Sequence, residues 1–282
     1  MSEQDLGSAS DAPVGRTGRN LPMAIATGVA LAVGIVGTLY LSRLAFLIFV
    51  GVFVLTAQTE FYTAVKKAGY DASVAIGLVV GGLLLLGAYH RGLPGVAFGL
   101  AVAVPATALW IAADPGRTHQ AARGLGLTVF GILWIPFLAS HIILLSLLPG
   151  GAGKTLVAIA LAAFYDIGAY VFGVWKGKTP LAPTVSPKKS LEGALGGTLT
   201  IVVAALTLGP VFADLSRPIL LLMALATAVT APVGDLSESL VKRDLGIKDM
   251  GTLLPGHGGV LDRIDALLLS IPVSYWIVRW AA

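Results

Sequence analysis

Asp235, Glu238, Ser239, Lys242 and Arg243 fall at i, i+3, i+4, i+7 and i+8, so a helix through this segment gathers them into one polar stripe. Two carboxylates occupy one end and two cations the other. Carboxylates suit a hard cation and Lys or Arg suits phosphate oxygens, so the stripe fits a metal–phosphate pair; it fits equally a solvated face with internal i,i+4 ion pairs. Further on, Asp262 and Asp265 share a face at i and i+3, on the way into an apolar run. Carboxylates there can cap a helix. Two in one turn beside Arg263 exceed what capping requires, and Asp262 reads as a metal ligand. Asp265 fits either a ligand or a residue that orients Arg263.

Between these sets lies Lys248-Asp249-Met250-Gly251, then Pro255-Gly256-His257-Gly258-Gly259. Such a loop can bring backbone amides close to an anion, with the dipole of the next helix behind them; an ordinary Gly-rich turn is the other reading. Upstream, Asp166 sits inside an apolar segment. A carboxylate there costs about 2.5–3.5 kcal/mol on insertion scales, so it needs a partner or a wet cavity. Ser186-Pro187 reads as a helix start, with Ser as N-cap and Pro in the first turn. Lys188 and Lys189 would then oppose the helix dipole, a conflict that a bound polyphosphate would relieve; a basic anchor at the membrane surface is the alternative. Gly193, Gly196 and Gly197 read as small residues for helix packing. Gly150–Thr155 looks like the end of a phosphate-binding loop, but the required earlier glycine is Leu148 and no strand precedes it. Glu60, Lys66 and Lys67 read as surface residues at a membrane edge.

The elements that must position these groups are membrane helices. The 282 residues are 56% hydrophobic and 12% charged, where soluble domains carry roughly 25% charged residues. There is no cysteine, which excludes disulfides and thiolate metal sites. The net charge of +4 is modest, and no nucleic-acid partner is expected. Residues 1–20 are polar and Gly/Ser-rich and read as a flexible cytoplasmic tail. Nine apolar segments follow, near 21–41, 44–63, 72–89, 94–113, 124–148, 153–175, 193–213, 218–234 and 266–282. With the N-terminus inside, fourteen of the 19 Lys and Arg residues fall on the cytoplasmic side. The expected fold is therefore an all-α polytopic membrane protein of about nine transmembrane helices, its N-terminus cytoplasmic. Residues 21–150 form N-terminal membrane helices and 151–282 a C-terminal catalytic membrane domain with cytoplasmic loops at 176–192 and 235–265.

The run from Ser239 to Asp265, through Lys242-Arg243, Lys248-Asp249-Met250-Gly251 and Pro255–Asp265, resembles the signature of the phosphatidate cytidylyltransferases, or CDP-diglyceride synthases. Asp166–Tyr170 and Ser186–Gly193 are similar to a second block of that family, and the likeness spans the C-terminal part of the chain. Two departures are Val233, where a polar residue is expected, and Ser190, where Thr is usual. The resemblance implies transfer of CMP from CTP to phosphatidic acid, giving CDP-diacylglycerol and pyrophosphate. It also implies Mg²⁺, a second cation such as K⁺, a homodimer, and a polar cavity open to the cytoplasm. The expected setting is the lipid bilayer of the inner (plasma) membrane, spanned several times. On this basis the catalytic set is Asp235, Asp262, Lys242, Arg243, Lys248 and Arg263. The metal ligands are Asp235 and Asp262, with Asp166 and Asp265. Substrate-binding positions are Ser186, Lys188, Lys189, Glu192, Ser239, Gly256, His257, Gly258 and Gly259. Rival readings are a CTP-dependent enzyme acting on another lipid phosphate or a polyprenol, and an ion-coupled transporter built around Asp166. The transporter is disfavoured because no paired broken helices stand out in the two halves.

Overall fold

The computed structural model describes residues 21–114, 116, 118, 120–253 and 258–281, with only the backbone for 21–25. The expected tail at 1–20, and Gly256 and His257, lie outside the described residues. Among the described residues, eleven α-helices run in order: α1 (Leu21–Leu41), α2 (Arg43–Lys67), α3 (Val74–Arg91), α4 (Leu93–Ala112), α5 (Ala121–Ile132), α6 (Leu138–Ser146), α7 (Gly151–Lys176), α8 (Leu191–Thr207), α9 (Gly209–Phe212), α10 (Arg217–Asp244) and α11 (Leu261–Ala281). A two-stranded antiparallel hairpin, β1 (Pro180–Ala182) and β2 (Ser186–Ser190), interrupts the helices before α8. Among the described residues, seven helical segments are long and apolar enough to cross a membrane; Ala26–Leu41 and Leu191–Thr207 are shorter apolar helices.

Local chemistry explains several boundaries. Ser42 caps α2, its Oγ accepting the Ala45 N–H at 3.0 Å. Gly92, at φ +63°, turns the chain between α3 and α4, a conformation open to glycine. α5 and α6 are joined through a π-helical turn, Leu133–Phe137, that contains Pro136. Proline lacks the N–H for a regular helical bond, and a widened turn absorbs the defect.

Between helices, contact depends on small residues, because lipid tails are as apolar as any helix face and close backbone approach must supply the attraction. α7 and α8 are the most intimate pair. A side chain added at Gly196 would strike Phe172, and one at Gly197 would meet the Tyr165 carbonyl at 2.8 Å. α10 crosses α11 at Gly234, which packs on the Asp265 carbonyl and Ala266. The phosphate-loop lookalike is also a packing device: Gly151 and Gly153 abut the carbonyls of Ser146 and Phe212, and Lys154 is buried. Large apolar residues such as Val33, Ile48, Phe98, Leu109, Trp175 and Trp280 face outward, where a bilayer accepts them.

A buried polar network fixes the N-terminal helices against one another. Gln58 on α2 donates to the Gly77 carbonyl on α3 at 2.9 Å and to Tyr62 Oη at 3.2 Å. Tyr62 Oη donates to the Thr128 carbonyl on α5 at 2.7 Å, and Thr128 Oγ1 accepts the Ser73 N–H at 2.8 Å. Removing the hydroxyl leaves the Thr128 carbonyl without this donor. Tyr62→Phe is expected to lower stability by about 1 kcal/mol, read as a lower denaturation midpoint in detergent with secondary structure retained.

Candidate active site

α7, the hairpin, α8 and α10 enclose a cavity of about 610 Å³, with Tyr165, Asp166, Ser186, Lys188, Lys189 and Asp235 in its walls. Its floor is made possible by the glycine contacts between α7 and α8, including Gly193 against the Ala169 carbonyl. Chain separated by some seventy residues thus meets in one polar space beside apolar helices.

The hairpin corrects the expectation for Ser186-Pro187. No helix starts there. Ser186–Ser190 is β2, and the N-cap of α8 is Ser190, whose Oγ accepts the Gly193 N–H at 3.1 Å. Lys188 and Lys189 therefore sit on a strand and do not oppose a helix dipole. Strand alternation separates them: Lys188 is exposed, while Lys189 pairs with Asp235 Oδ2 at 2.5 Å. Ser190 in place of Thr costs nothing in capping, since either hydroxyl can accept the amide. Glu192 is held internally. Its carboxylate accepts the Lys178 and Thr179 N–H groups and the Thr179 hydroxyl, tying α8 to the start of the hairpin.

Asp235 also accepts the Ser239 hydroxyl at 3.3 Å, one helical turn along α10. Asp166 lies within electrostatic range of Asp265, Asp235, Lys189 and Arg263. The Glu238 carboxylate faces that of Asp265. Both Glu238 oxygens are buried without a hydrogen bond, although Lys242 Nζ stands 3.1 Å from Oε2. Four carboxylates from α7, α10 and α11 thus converge, and facing carboxylates require a proton or a cation between them. Among the described residues, no group of three is arranged to enclose a metal ion. Oxygen donors of this kind nevertheless suit Mg²⁺, which takes one or two carboxylates and completes its shell with water and substrate phosphates.

Asp262 stands apart from that convergence. Its Oδ1 takes Lys242 Nζ at 2.8 Å, and its Oδ2 accepts the N–H groups of Met250 and Gly259 at 3.0 and 2.9 Å. The Gly259 amide, expected to meet an anion, is thus directed at Asp262. A side chain at Gly259 would meet the Gly251 nitrogen at 2.6 Å, and Gly258 holds φ +84°, so both positions need glycine. Arg243 reaches from the end of α10 to the Val185 carbonyl of the hairpin turn at 3.4 Å, and Lys248 is exposed. The stretch 235–265 is not loop throughout: α10 continues to Asp244 and α11 begins at Leu261.

Two acidic residues gain importance from the structure. Glu238 belongs to the polar stripe but had no role assigned. Glu60, read as a surface residue at a membrane edge, is buried: Oε2 accepts the Leu261 N–H at 3.0 Å, and the carboxylate packs against Gly251 and Gly259. The available signal was an ionisable residue within an apolar helix, the same one that marks Asp166. Lys66 and Lys67 are exposed, as expected. Glu60→Ala leaves the buried Leu261 amide without its acceptor, a loss of about 1–3 kcal/mol. The expected result is faster hydrogen exchange at Leu261 and a lower unfolding temperature, with the Gln58–Tyr62–Thr128 network retained.

The cytidylyltransferase family model matches residues 22–281. A phosphatidate cytidylyltransferase of Mycobacterium leprae is 34% identical over 277 residues, covering 92% of this chain and 88% of that protein. One of Mycobacterium bovis is 32% identical over 292 residues, covering 98% and 95%. One of Synechocystis is 41% identical over a shorter stretch of 134 residues, 46% of this chain and 44% of its own. With the match extending over nearly every described helix, the chain belongs to the cytidylyltransferase family.

Proposed function

We propose that this chain is a phosphatidate cytidylyltransferase, transferring CMP from CTP to phosphatidic acid to give CDP-diacylglycerol and pyrophosphate. The observation that carries this reading is the cavity in which Asp166, Lys189 and Asp235 meet beside the carboxylates of Glu238 and Asp265. Membership of the family, and relatives bearing that name, select the substrates from those such a site could take.

The acceptor is a phosphomonoester with a second pKa near 6. It is mostly a dianion at neutral pH, so attack of its oxygen on the α-phosphorus of CTP needs no strong base. The bond to the β-phosphate oxygen breaks, and pyrophosphate leaves. The work of the protein is charge neutralisation and alignment. Lys189 has its ammonium in the cavity wall, where it can leave Asp235 for a phosphate oxygen. Lys188, Arg243 and Lys248 are exposed around the hairpin and the end of α10, suited to gathering the triphosphate. Lys242 stays between Glu238 and Asp262 and keeps that acidic pair in register. Asp235, with Asp166 and Asp265, would hold Mg²⁺, and K⁺ is the candidate second cation; bound metal would supply neutralisation of phosphate charge. Asp262 supports the site by fixing the loop, with metal ligation as its second candidate role. Ser186, Ser239 and the loop around His257 and Gly258 would shape the nucleotide pocket.

The apolar helices fit a multi-pass membrane protein. Nine spans with a cytoplasmic N-terminus, a homodimer, and a cavity facing the cytoplasm of the inner membrane complete the proposal. The excess of Lys and Arg in one set of connections supports the orientation.

The test is release of pyrophosphate from CTP by the purified protein, expected only when phosphatidate and Mg²⁺ are both present. Asp235→Asn, in protein that inserts and folds, is expected to lower incorporation of labelled CTP into lipid by about a hundredfold or more. Pyrophosphate release that ignores phosphatidate would sink the substrate assignment. Near-normal activity of the variant would remove Asp235 from the site.

A further inference from the structure

A second cavity lies on a different face of α11 from Asp265. α1, α2, α6, α7 and α11 enclose about 130 Å³ of apolar space, with Leu31, Phe46, Val50, Phe53, Leu267 and Ile271 among its walls. Among the described residues, Arg263 is the single charged residue lining it. Its Nε is buried and without a hydrogen-bond partner, and among the described residues Arg263 makes no ion pair.

The shape follows from the pairing of α2 with α11. The Glu60–Leu261 bond brings the end of α2 to the start of α11, so the two helices run in opposite directions. The lining residues extend from Arg263 to Ile271 on α11 and from Val54 back to Phe46 on α2. Eight residues of helix rise roughly 12 Å. Arg263 therefore marks one end of an elongated groove, and Phe46 and Ile271 mark the other. The guanidinium is also within electrostatic range of Asp166, which lines the polar cavity. The Arg263 Nε–H is buried without an acceptor, and a buried donor left unpaired is costly. An amphiphile with an anionic phosphate and a hydrocarbon tail satisfies both the cation and the apolar walls, whereas a free phosphate satisfies only the first.

We infer that this groove is the acyl-chain site for the lipid phosphate, with one tail lying between α2 and α11 and the phosphate held at Arg263 next to the catalytic cavity. The inference rests on the reading of the chain as an enzyme acting on a lipid phosphate, and it adds the element that would select among tails. Arg263 then links two spaces: its charge faces the reacting headgroup while the residues that follow it on α11 line the path of the chain.

The experiment measures CDP-lipid formation by the full-length protein in detergent, with dihexanoyl- and dioleoyl-phosphatidate at saturating CTP. Val50→Phe narrows the groove halfway along its length. One carbon too many in an apolar pocket is worth about tenfold or more, so KM for the dioleoyl substrate is expected to rise by about that factor. KM for dihexanoyl-phosphatidate and for CTP should hold. Ile271→Ala opens the far end without adding bulk and is expected to shift preference towards longer chains; it carries the test alone if Val50→Phe does not fold. Normal activity with an unchanged chain-length profile overturns the acyl-chain site, even if a lipid co-purifies, since the groove then holds only a boundary lipid. If the unsubstituted protein makes no CDP-lipid from either substrate, the reading of the enzyme itself fails, and this inference fails with it.

Discussion

The carboxylate of Asp262 is shared among three donors, Lys242 Nζ and the amides of Met250 and Gly259. Beside it, Glu60 receives the Leu261 amide. Two buried carboxylates thus hold the start of α11, the end of α10 and the segment between them against α2. Removing one partner from such a buried ion pair typically costs about 3–5 kcal/mol, because the other charge is left without compensation. The knot also sets the rotational phase of α11. With Asp262 turned to the loop, Asp265 faces Glu238, and Arg263 turns to the apolar groove. Three polar positions within four residues therefore serve three different surroundings.

A second constraint comes from the bilayer-like setting. Helices that share apolar faces gain little from hydrophobic burial and must touch through small residues. The glycines of α7 and α8 allow this, and the pair then supports a polar cavity without a broken helix. The hairpin after α7 closes one side and carries Lys189 to Asp235. Glu192 and Arg243 tie it down from both directions, through the Thr179 amide and the Val185 carbonyl. The cation that meets Asp235 is thus delivered by a strand, and its pairing depends on β alternation as well as on charge.

The apolar segments, the polar stripe of α10 and the acidic pair at the start of α11 were legible because their signals are local. Hydropathy over about 20 residues marks a helix, and i, i+3, i+4 spacing marks a face. The hairpin was not legible. Ser-Pro followed by two lysines carries a helix-start signal, and only pairing with Pro180–Ala182, across a turn, makes it a strand. Glu60 was misplaced for a related reason: its partner, the Leu261 amide, lies 201 residues away.

By itself the sequence determined the apolar helices, the family motif and the set of acidic and basic residues available for phosphate chemistry, since each is encoded within a short window. Tertiary structure alone decided which of them meet. It put Asp166 and Asp265 near Asp235, committed Asp262 to the loop, buried Glu60 and turned Arg263 towards the groove. The physical reason is that a charge in an apolar surround is defined by its partner, and these partners come from helices distant in the chain.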